Sequence, residues 1–253
     1  MIDISLGTAL ILICSGLIVG FINTLAAGGT VISISIFMFF GLDPIMASGT
    51  NRIAIFFQNL SAVYQFQKHK LINWKVAFNL AIPTVLGGIT GSFWAGAITE
   101  SLFQYIFCGV IIFFSISLLF NSEKWIRENA KLQQKPVSIW VYLIFFAIGF
   151  YAGFAHVGVG YFLLGGLALC VGFDLVKANV LKNVLVLLYV PFSLLIYALQ
   201  GNVCWTYGLI HAIGNIFGAT IAAHYAVKKG YALIKYMMLL LAGVVVLQLL
   251  GII

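Results

Sequence analysis

The chain has 253 residues, of which 63% are hydrophobic and only 8% are charged, and its mean hydropathy is +1.13. This composition excludes a soluble domain, and the apolar runs are too continuous for the alternating strands of an outer-membrane barrel. The sequence therefore predicts a polytopic helical membrane protein. The formal net charge is +7, but Lys and Arg are dispersed among short polar segments. We attribute the excess to loops on the inner side of the membrane and expect no nucleic-acid partner.

The first apolar run extends from Ile4 to Phe40 and holds no charged residue. It is too long for one membrane-spanning helix and too short for two. Glycines interrupt it at Ala26–Thr30, so we predict a hairpin of two short helices that meet at this break. Alternating Ile and Ser at 32–36 would favour a strand in a soluble protein. An unpaired strand cannot satisfy its backbone groups in lipid, so a helix is predicted there too.

Further helices and a polar linker follow the first hairpin. Asp43 is expected to be an N-cap rather than a proton carrier, and so is Asp174 in the second half. Helices are predicted over 44–66, 74–98, 102–120, 175–199, 205–227 and 232–250. Residues 121–136 form the extended polar stretch, and we predict a cytoplasmic linker there. The linker separates a first transmembrane repeat, 1–120, from a second, 137–253.

The second half repeats the plan of the first. Its charge-free run from Val137 to Phe173 is broken by glycines at Val157–Tyr161. A shift of 131 residues without a gap aligns Gly29 with Gly160, Gly41 with Gly172, Asp43 with Asp174, Trp74 with Trp205, and Gly87 with Gly218. Matches of Gly, Asp and Trp are harder to obtain by chance than matches of Leu, so we infer a duplication. Non-helical backbone at membrane depth is tolerated only where it is buried or lines a polar cavity, so the two breaks form the candidate substrate site.

Basic residues in short loops predict opposite orientations for the two halves. Lys68 and Lys70 place the loop after the third segment inside. The matching loop at Gln200–Asn202 carries no charge, and Lys228 one helix later places it outside. The predicted fold is an all-α polytopic membrane protein with two inverted-topology repeats of about five helical segments each, and with short broken-helix hairpins at the glycine motifs. Secondary transporters use this architecture to build a midplane site and to alternate access to it.

Arg52 and Lys182 lie within predicted helices, about 13 Å and 12 Å from the helix starts at 1.5 Å per residue. A cation at that depth costs at least about 2.5–3.5 kcal/mol and typically faces a polar cavity. We therefore predict that both residues bind an anionic substrate. The alternative is that each pairs with a carboxylate or with carbonyl groups as a structural contact. Helices that restart at Thr30 and Tyr161 would direct free N–H groups to the same region, which also favours an anion.

Neutral hydrogen-bonding side chains complete the predicted site. Asn51 and Asn183 stand beside the two cations, while Asn23 and His156 lie near the two breaks, where interhelical contact is the alternative role. The predicted substrate-binding residues are Asn23, Gly28, Gly29, Thr30, Asn51, Arg52, His156, Gly158, Gly160, Lys182 and Asn183. No catalytic residue, metal site or cofactor is expected, because the histidines and cysteines show no ligand spacing.

Three stretches together resemble the TauE/SafE family of sulfite exporters and related anion permeases: Gly20–Thr30, Gly41–Pro44 and Ala47–Arg52. The resemblance extends over nearly the whole chain. The second copy has Val180 and Leu181 where the first has a Gly-Thr pair, which argues against symmetric ligand roles. The resemblance implies transport of sulfite, sulfonates or other sulfur-containing or small organic anions across the cytoplasmic membrane.

These observations predict a non-enzymatic secondary transporter for a small anion, which works by alternating access and crosses the cytoplasmic membrane several times. An anion channel and a cofactor-bearing membrane subunit of an enzyme are the alternatives. The expected partners are the anionic substrate and the lipid bilayer, and a homodimer is left open. The exact substrate, the direction of transport and the driving force do not follow from the sequence.

Overall fold

A computed structural model of the chain describes residues 5–26, 28–94, 128–133 and 137–249. These residues are helical apart from short connections and contain no strand. The main helices, numbered in chain order, are α1 (Leu6–Leu25), α2 (Gly29–Phe39), α3 (Pro44–Lys68), α4 (Trp74–Phe93), α5 (Ile139–Phe154), α6 (Val159–Gly165), α7 (Leu175–Leu199), α8 (Trp205–Lys229) and α9 (Tyr231–Leu249). The predicted helix at 102–120 and most of the predicted linker lie outside the described residues, so the boundaries of the two repeats stay predictions.

The helices after the hairpins begin where the sequence predicts them. The first residues of α3, α4, α7 and α8 coincide with the predicted starts. Asp43 and Asp174 each accept hydrogen bonds from two N–H groups in the first turn of the following helix, at 2.9–3.0 Å. Both predicted N-caps are therefore confirmed, because the carboxylate oxygens bind donors that would otherwise have no partner.

Each glycine break separates two helices, as predicted, but the prediction that both arms are short is wrong for the first hairpin, because α1 has 20 residues. The helix after each break starts behind a left-handed glycine: Gly28, with a φ of 116°, precedes α2, and Gly158, with a φ of 68°, precedes α6. A residue with a side chain would be strained at such angles. The helices restart one and two residues earlier than at the predicted Thr30 and Tyr161. The Ile and Ser alternation at 32–36 belongs to α2, so the prediction of a helix there is confirmed.

The bundle buries several polar and charged side chains within a mainly apolar interior, and its outer surface is apolar too. Arg52, Lys182 and His211 are buried, with no more than 2% of their surface exposed. Large apolar side chains cover the outer surface, among them Phe39 and Leu199, which are 82% and 78% exposed. Among the described helices, α1, α4 and α7 are long and apolar enough to cross a membrane. An outer surface this apolar, around buried cations, fits a protein surrounded by lipid.

Helix contacts recur in matched pairs across the two halves. In one group, α8 packs against α1 and α3. In the other, α4 packs against α5 and α7, which are the counterparts of α1 and α3. The helices α3 and α7 contact each other at the centre. A Cβ added to Gly218 of α8 would overlap the carbonyl oxygen of Leu17, and one added to Gly87 of α4 would overlap that of Phe146. The helices are therefore in close contact at both glycines, since only a small residue lets the backbones approach this far.

The central helices α3 and α7 run in opposite directions. Near the start of α3, the hydroxyl of Thr50 accepts a hydrogen bond of 2.9 Å from the N–H of Cys204, which follows the end of α7. Beyond the end of α3, Lys70 lines a surface depression together with Phe173 and Lys177, at the start of α7. The glycine turns that precede the two helices therefore lie at opposite ends of the bundle.

The described part of the linker contacts the turn before α7. The Nζ of Lys177 donates a hydrogen bond of 2.5 Å to Glu128 and lowers the pKa of that carboxyl. The carbonyl of Gly172 accepts hydrogen bonds from the N–H of Asn129 and from Nε2 of Gln133, both at 2.9 Å. These contacts place the linker at the end of the bundle that also holds the loop after α3, as expected for two segments on one side of a membrane.

Candidate functional site

A small cavity lies where the two glycine breaks meet. Its volume is about 30 Å³, which is room for one or two water molecules. Its polar side chains are Asn23, Thr30, Gln58, Asn59, His156 and Lys182. Gly28, Gly158 and Gly160 also line it, and Ile55 of α3 and Val186 of α7 face it from the two central helices. The cavity is therefore built from both halves of the chain.

The N-termini of α2 and α6 both lie at this cavity. Their N-caps, Gly28 and Gly158, line it and have no side chain to bind the N–H groups of the first turn. α6 continues as a π-helix to Val171, so both short helices extend for at least eleven residues. The first N–H groups of a helix have no intrahelical acceptor, and the helix dipole adds positive potential there. This arrangement can bind an anion through backbone donors.

Lys182 of α7 lies in the cavity wall and is only 2% exposed. Its Nζ donates hydrogen bonds to the carbonyl oxygens of Asn23 and Ala26, both at 2.8 Å, and to that of Thr24 at 3.2 Å. These carbonyls lie at the end of α1, where the helix dipole is negative and acceptors lack intrahelical donors. The ammonium group therefore brings positive charge to the wall while its three donors bind the chain.

Arg52 of α3 is fully buried and is not among the residues that line the cavity. Its Nε donates to the hydroxyl of Ser193 at 2.6 Å. One terminal nitrogen donates to the carbonyl and hydroxyl oxygens of Ser48, at 2.7 and 2.8 Å. The other donates to the carbonyls of Gly153 and Ala152, at 2.5 and 3.5 Å. The chain thus occupies all five guanidinium donors, which supports a structural role for this residue.

The two buried cations each bind the hairpin of the opposite half. Arg52 reaches the end of α5 in the second half, and Lys182 reaches the end of α1 in the first. Asn183, beside Lys182, adds to the second contact, because its Nδ2 donates to the carbonyls of Thr24 at 3.2 Å and Asn179 at 2.7 Å. Each central helix is therefore hydrogen-bonded to the broken helix of the other repeat.

His156 lies in the second break, at the edge of the cavity. Its φ of 62° is left-handed, an uncommon conformation for a residue with a side chain, and one that persists only where the surroundings enforce it. Its Nδ1 and the hydroxyl of Tyr189 share a hydrogen bond of 2.5 Å. Tyr189 belongs to α7 and is fully buried, so this bond holds the imidazole ring beside the cavity.

The structure brings seven of the eleven predicted site residues to the cavity: Asn23, Gly28, Thr30, His156, Gly158, Gly160 and Lys182. It places the other four outside the lining: Gly29, Asn51, Arg52 and Asn183. Gly29 packs against the side chain of Asn23, and a Cβ there would lie only 3.0 Å from its Oδ1. Asn51 is buried beside Arg52, and its Oδ1 has no hydrogen-bond partner among the described residues.

Gln58 and Asn59 line the cavity and were not among the predicted site residues. Both are 2% exposed, and Oε1 of Gln58 accepts a hydrogen bond from Nδ2 of Asn23 at 3.5 Å. A sequence signal exists for Asn59, because it lies seven residues after Arg52 and so falls on the same helix face. Tyr189 has the same signal, because it lies seven residues after Lys182, but its role depends on its contact with His156.

A comparison with protein families identifies the chain. Residues 12–249 match the family described as Sulfite exporter TauE/SafE. The chain belongs to this family. The match covers both glycine breaks and every residue of the cavity, and it confirms the resemblance to TauE/SafE proteins that the glycine motifs indicated.

Several relatives of this TauE/SafE protein are named probable membrane transporter proteins. One from Haemophilus influenzae is 27% identical and aligns over 95% of this chain and 93% of its own. ORF9 of a Sinorhizobium species is 24% identical, over 99% and 95% of the two chains. YfcA of Escherichia coli is 26% identical, over 92% and 86%. No solved structure matches the chain. Family and relatives thus support a membrane transporter of the TauE/SafE type.

Proposed function

We propose that this TauE/SafE protein is a multi-pass secondary transporter of the cell membrane, a permease rather than an enzyme, and that its substrate is a small anion. The observation that carries the proposal is the cavity between the two breaks. Two helix N-termini meet there with the ammonium group of Lys182 and the ring of His156. No described carboxylate lines this cavity, so its fixed charges and dipoles favour negative charge.

The proposed substrates are sulfite, sulfonates and other small sulfur-containing or organic anions. The family description names sulfite export. The cavity adds the amide groups of Asn23 and Asn59 and the hydroxyl of Thr30 to the backbone donors of the two helix starts. Several donors that converge from different directions suit an oxyanion, whose oxygen atoms accept charge-assisted hydrogen bonds on all sides.

Alternating access accounts for the small volume of the cavity. A space of about 30 Å³ holds one or two water molecules, so the hairpins must part before an oxyanion enters. The antiparallel helices α3 and α7 and the matched contacts of α1 with α8 and of α5 with α4 support an inverted repeat. In this architecture, two similar halves move against each other around a central site.

Transport by the protein in liposomes tests the proposal directly. We expect saturable counterflow of at least one anion from a panel of sulfite, thiosulfate, sulfonates and small carboxylates. The same anion should raise the melting temperature of the detergent-purified protein by mass action. Absence of binding and of flux for the whole panel would refute an anion transporter, and flux that neither saturates nor shows counterflow would indicate a channel.

A matched pair of variants tests whether this cavity is the binding site. Thr30→Val removes a hydroxyl from the cavity with little change of shape, and should weaken anion binding by about tenfold, the equivalent of one hydrogen bond. Thr84→Val is the control, because the hydroxyl of this buried residue donates to Leu80 within its own helix at 2.7 Å. Equal affinities for the two variants would place the anion elsewhere.

A further inference from the structure

We infer that the ammonium group of Lys182 is a built-in monovalent cation, which fills a cation site at the end of α1 and makes anion binding independent of Na⁺ and K⁺. The inference goes beyond the proposed function, because it concerns a second site in the wall of the cavity. It rests on that function only where it mentions the anion, and the site itself can be tested without one.

The contacts of Lys182 are those of a small cation among oxygen ligands. Three carbonyl oxygens, from Asn23, Thr24 and Ala26, surround its Nζ at 2.8–3.2 Å. They belong to the C-terminal end of a broken helix, next to non-helical backbone. Carbonyl groups in this setting coordinate Na⁺ in transporters with discontinuous helices. Here a side chain from the other half of the protein occupies the position.

Residues that take part in this contact, or lie next to it, also carry buried polar atoms without a partner among the described residues. Oγ1 of Thr24 and Oδ1 of Asn183 are buried and have no hydrogen-bond partner among the described residues, and neither polar atom of the Asn179 side chain has one. Asn183 lies next to Lys182 in the chain and binds the carbonyl of Thr24 that Lys182 also binds. Thr24 and Asn183 therefore each hold an unpaired oxygen acceptor in addition to the carbonyls that Lys182 binds.

The matching place in the other half also holds a covalently attached cation. The carbonyls of Ala152 and Gly153, at the end of α5, bind the guanidinium group of Arg52. Each broken helix thus ends on a positive charge supplied by the opposite central helix. Two different side chains, at neighbouring positions of the repeat, provide it. This recurrence indicates that the carbonyls at each break require a cation, and that the chain supplies both.

A built-in cation acts on the anion through its charge. The three donors of Nζ are bound to carbonyls, yet Lys182 lines the cavity. Charge interactions are strong in a poorly hydrated interior, even without direct contact. Wild-type protein should therefore bind its anion equally well in sodium, potassium and choline salts, because no mobile cation needs to accompany the anion.

Chemical replacement of the side chain tests this inference. Lys182→Ala removes three methylene groups and the ammonium group, which together have the shape of propylammonium. We expect the anion-free variant to melt well below wild type, and added propylammonium to raise its melting temperature by mass action. Propan-1-ol has nearly the same shape and no charge, and should have a much smaller effect. Lys177→Ala, on the exposed first turn of the same helix, should respond to neither.

Three results would overturn the inference. The first is that neither propylammonium nor Na⁺ nor K⁺ stabilises Lys182→Ala, and the second is that propan-1-ol stabilises this variant as much as propylammonium does. The third is that anion binding by the wild-type protein depends on Na⁺ or K⁺. If Lys182→Ala does not fold, Lys182→Met keeps the bulk of the arm and removes the charge. That variant should lose anion affinity at least tenfold in every salt, and unchanged affinity would also refute the inference. Rescue by propylammonium in a protein that binds no anion would uphold the cation site and refute the proposed function.

Discussion

At the level of single residues, Arg52 and Lys182 resemble each other in sequence and differ in what they contact. Each is a cation deep in a central helix, and each binds carbonyls at a break. Lys182 lines the cavity, whereas the guanidinium group of Arg52 lies outside it, bonded to Ser48 and Ser193 and with its central carbon 3.8 Å from the ring centre of Tyr197. Replacement of Arg52 should therefore affect mainly the stability of the protein, whereas replacement of Lys182 should also affect anion binding.

Arg52→Gln should lower the free energy of unfolding by at least about 3 kcal/mol, because several buried acceptors lose a charged donor. Thermal unfolding of the anion-free protein measures the effect. Arg52→Lys should recover only part of it, since an ammonium group has three donors where the guanidinium group has five. Lys68→Gln, at the exposed end of the same helix, is the control and should melt as wild type does.

If Arg52 instead binds the substrate directly, as the sequence predicted, Arg52→Gln should keep its stability and lose anion binding. An Arg52→Gln protein that melts as wild type does but no longer binds anions would restore that role and contradict the structural one. Loss of stability with loss of transport would follow from a displaced hairpin, because Arg52 holds the end of α5 next to His156.

At the level of helices, glycines set the distance between the hairpins and their partners. We expect Gly218→Ala and Gly87→Ala to destabilise the protein by about 1–3 kcal/mol each, because the new Cβ overlaps a carbonyl oxygen of the facing helix. Gly7→Ala is the control. Its Cβ would meet only the Ser5 hydroxyl at 3.7 Å, and it should be neutral or stabilising. Melting curves as high for Gly218→Ala as for Gly7→Ala would contradict the close contact.

The hairpins also differ in length between the two halves, which corrects the gap-free shift of 131 residues. The residues that meet matching glycines, Leu17 and Phe146, are 129 positions apart, the N-cap glycines Gly28 and Gly158 are 130 apart, and the turn glycines at 41 and 172 are 131 apart. The second half thus gains one residue before Gly158 and one within the segment that contains the π-helix at Gly166–Val171. A π-turn accommodates an inserted residue without ending the helix.

At the level of the whole molecule, the central helices are antiparallel, so the inverted repeat is best tested by the side of the membrane on which each loop lies. In a variant whose four native cysteines are replaced, single cysteines at Gln67 and Gln200, both exposed, occupy opposite ends of the bundle. An impermeant maleimide applied to intact cells should label Gln200→Cys, and label Gln67→Cys only after the membrane is permeabilised. Labelling of both from the same side would refute opposite orientations.

Local physical rules were enough to predict the class of protein and the helix starts. Lipid leaves a charge-free run no alternative to a helix, so the membrane fold and the helix at 32–36 follow from composition. Glycine and aspartate act on their own backbone and first turn, so the breaks at Gly28 and Gly158 and the N-caps at Asp43 and Asp174 could also be predicted from the sequence.

Which residues line the cavity could not be predicted from the sequence, because this depends on contacts between residues far apart in the chain. Ser193 and Gly153 occupy the donors of Arg52, and they lie 141 and 101 residues away from it. The sequence establishes that Arg52 and Lys182 are costly to bury, because burial of a charge is a property of one residue and its helix. Only the tertiary structure decides which partner offsets that cost, since the rotation and direction of each helix bring Lys182 to the cavity wall and turn Arg52 toward the opposite hairpin.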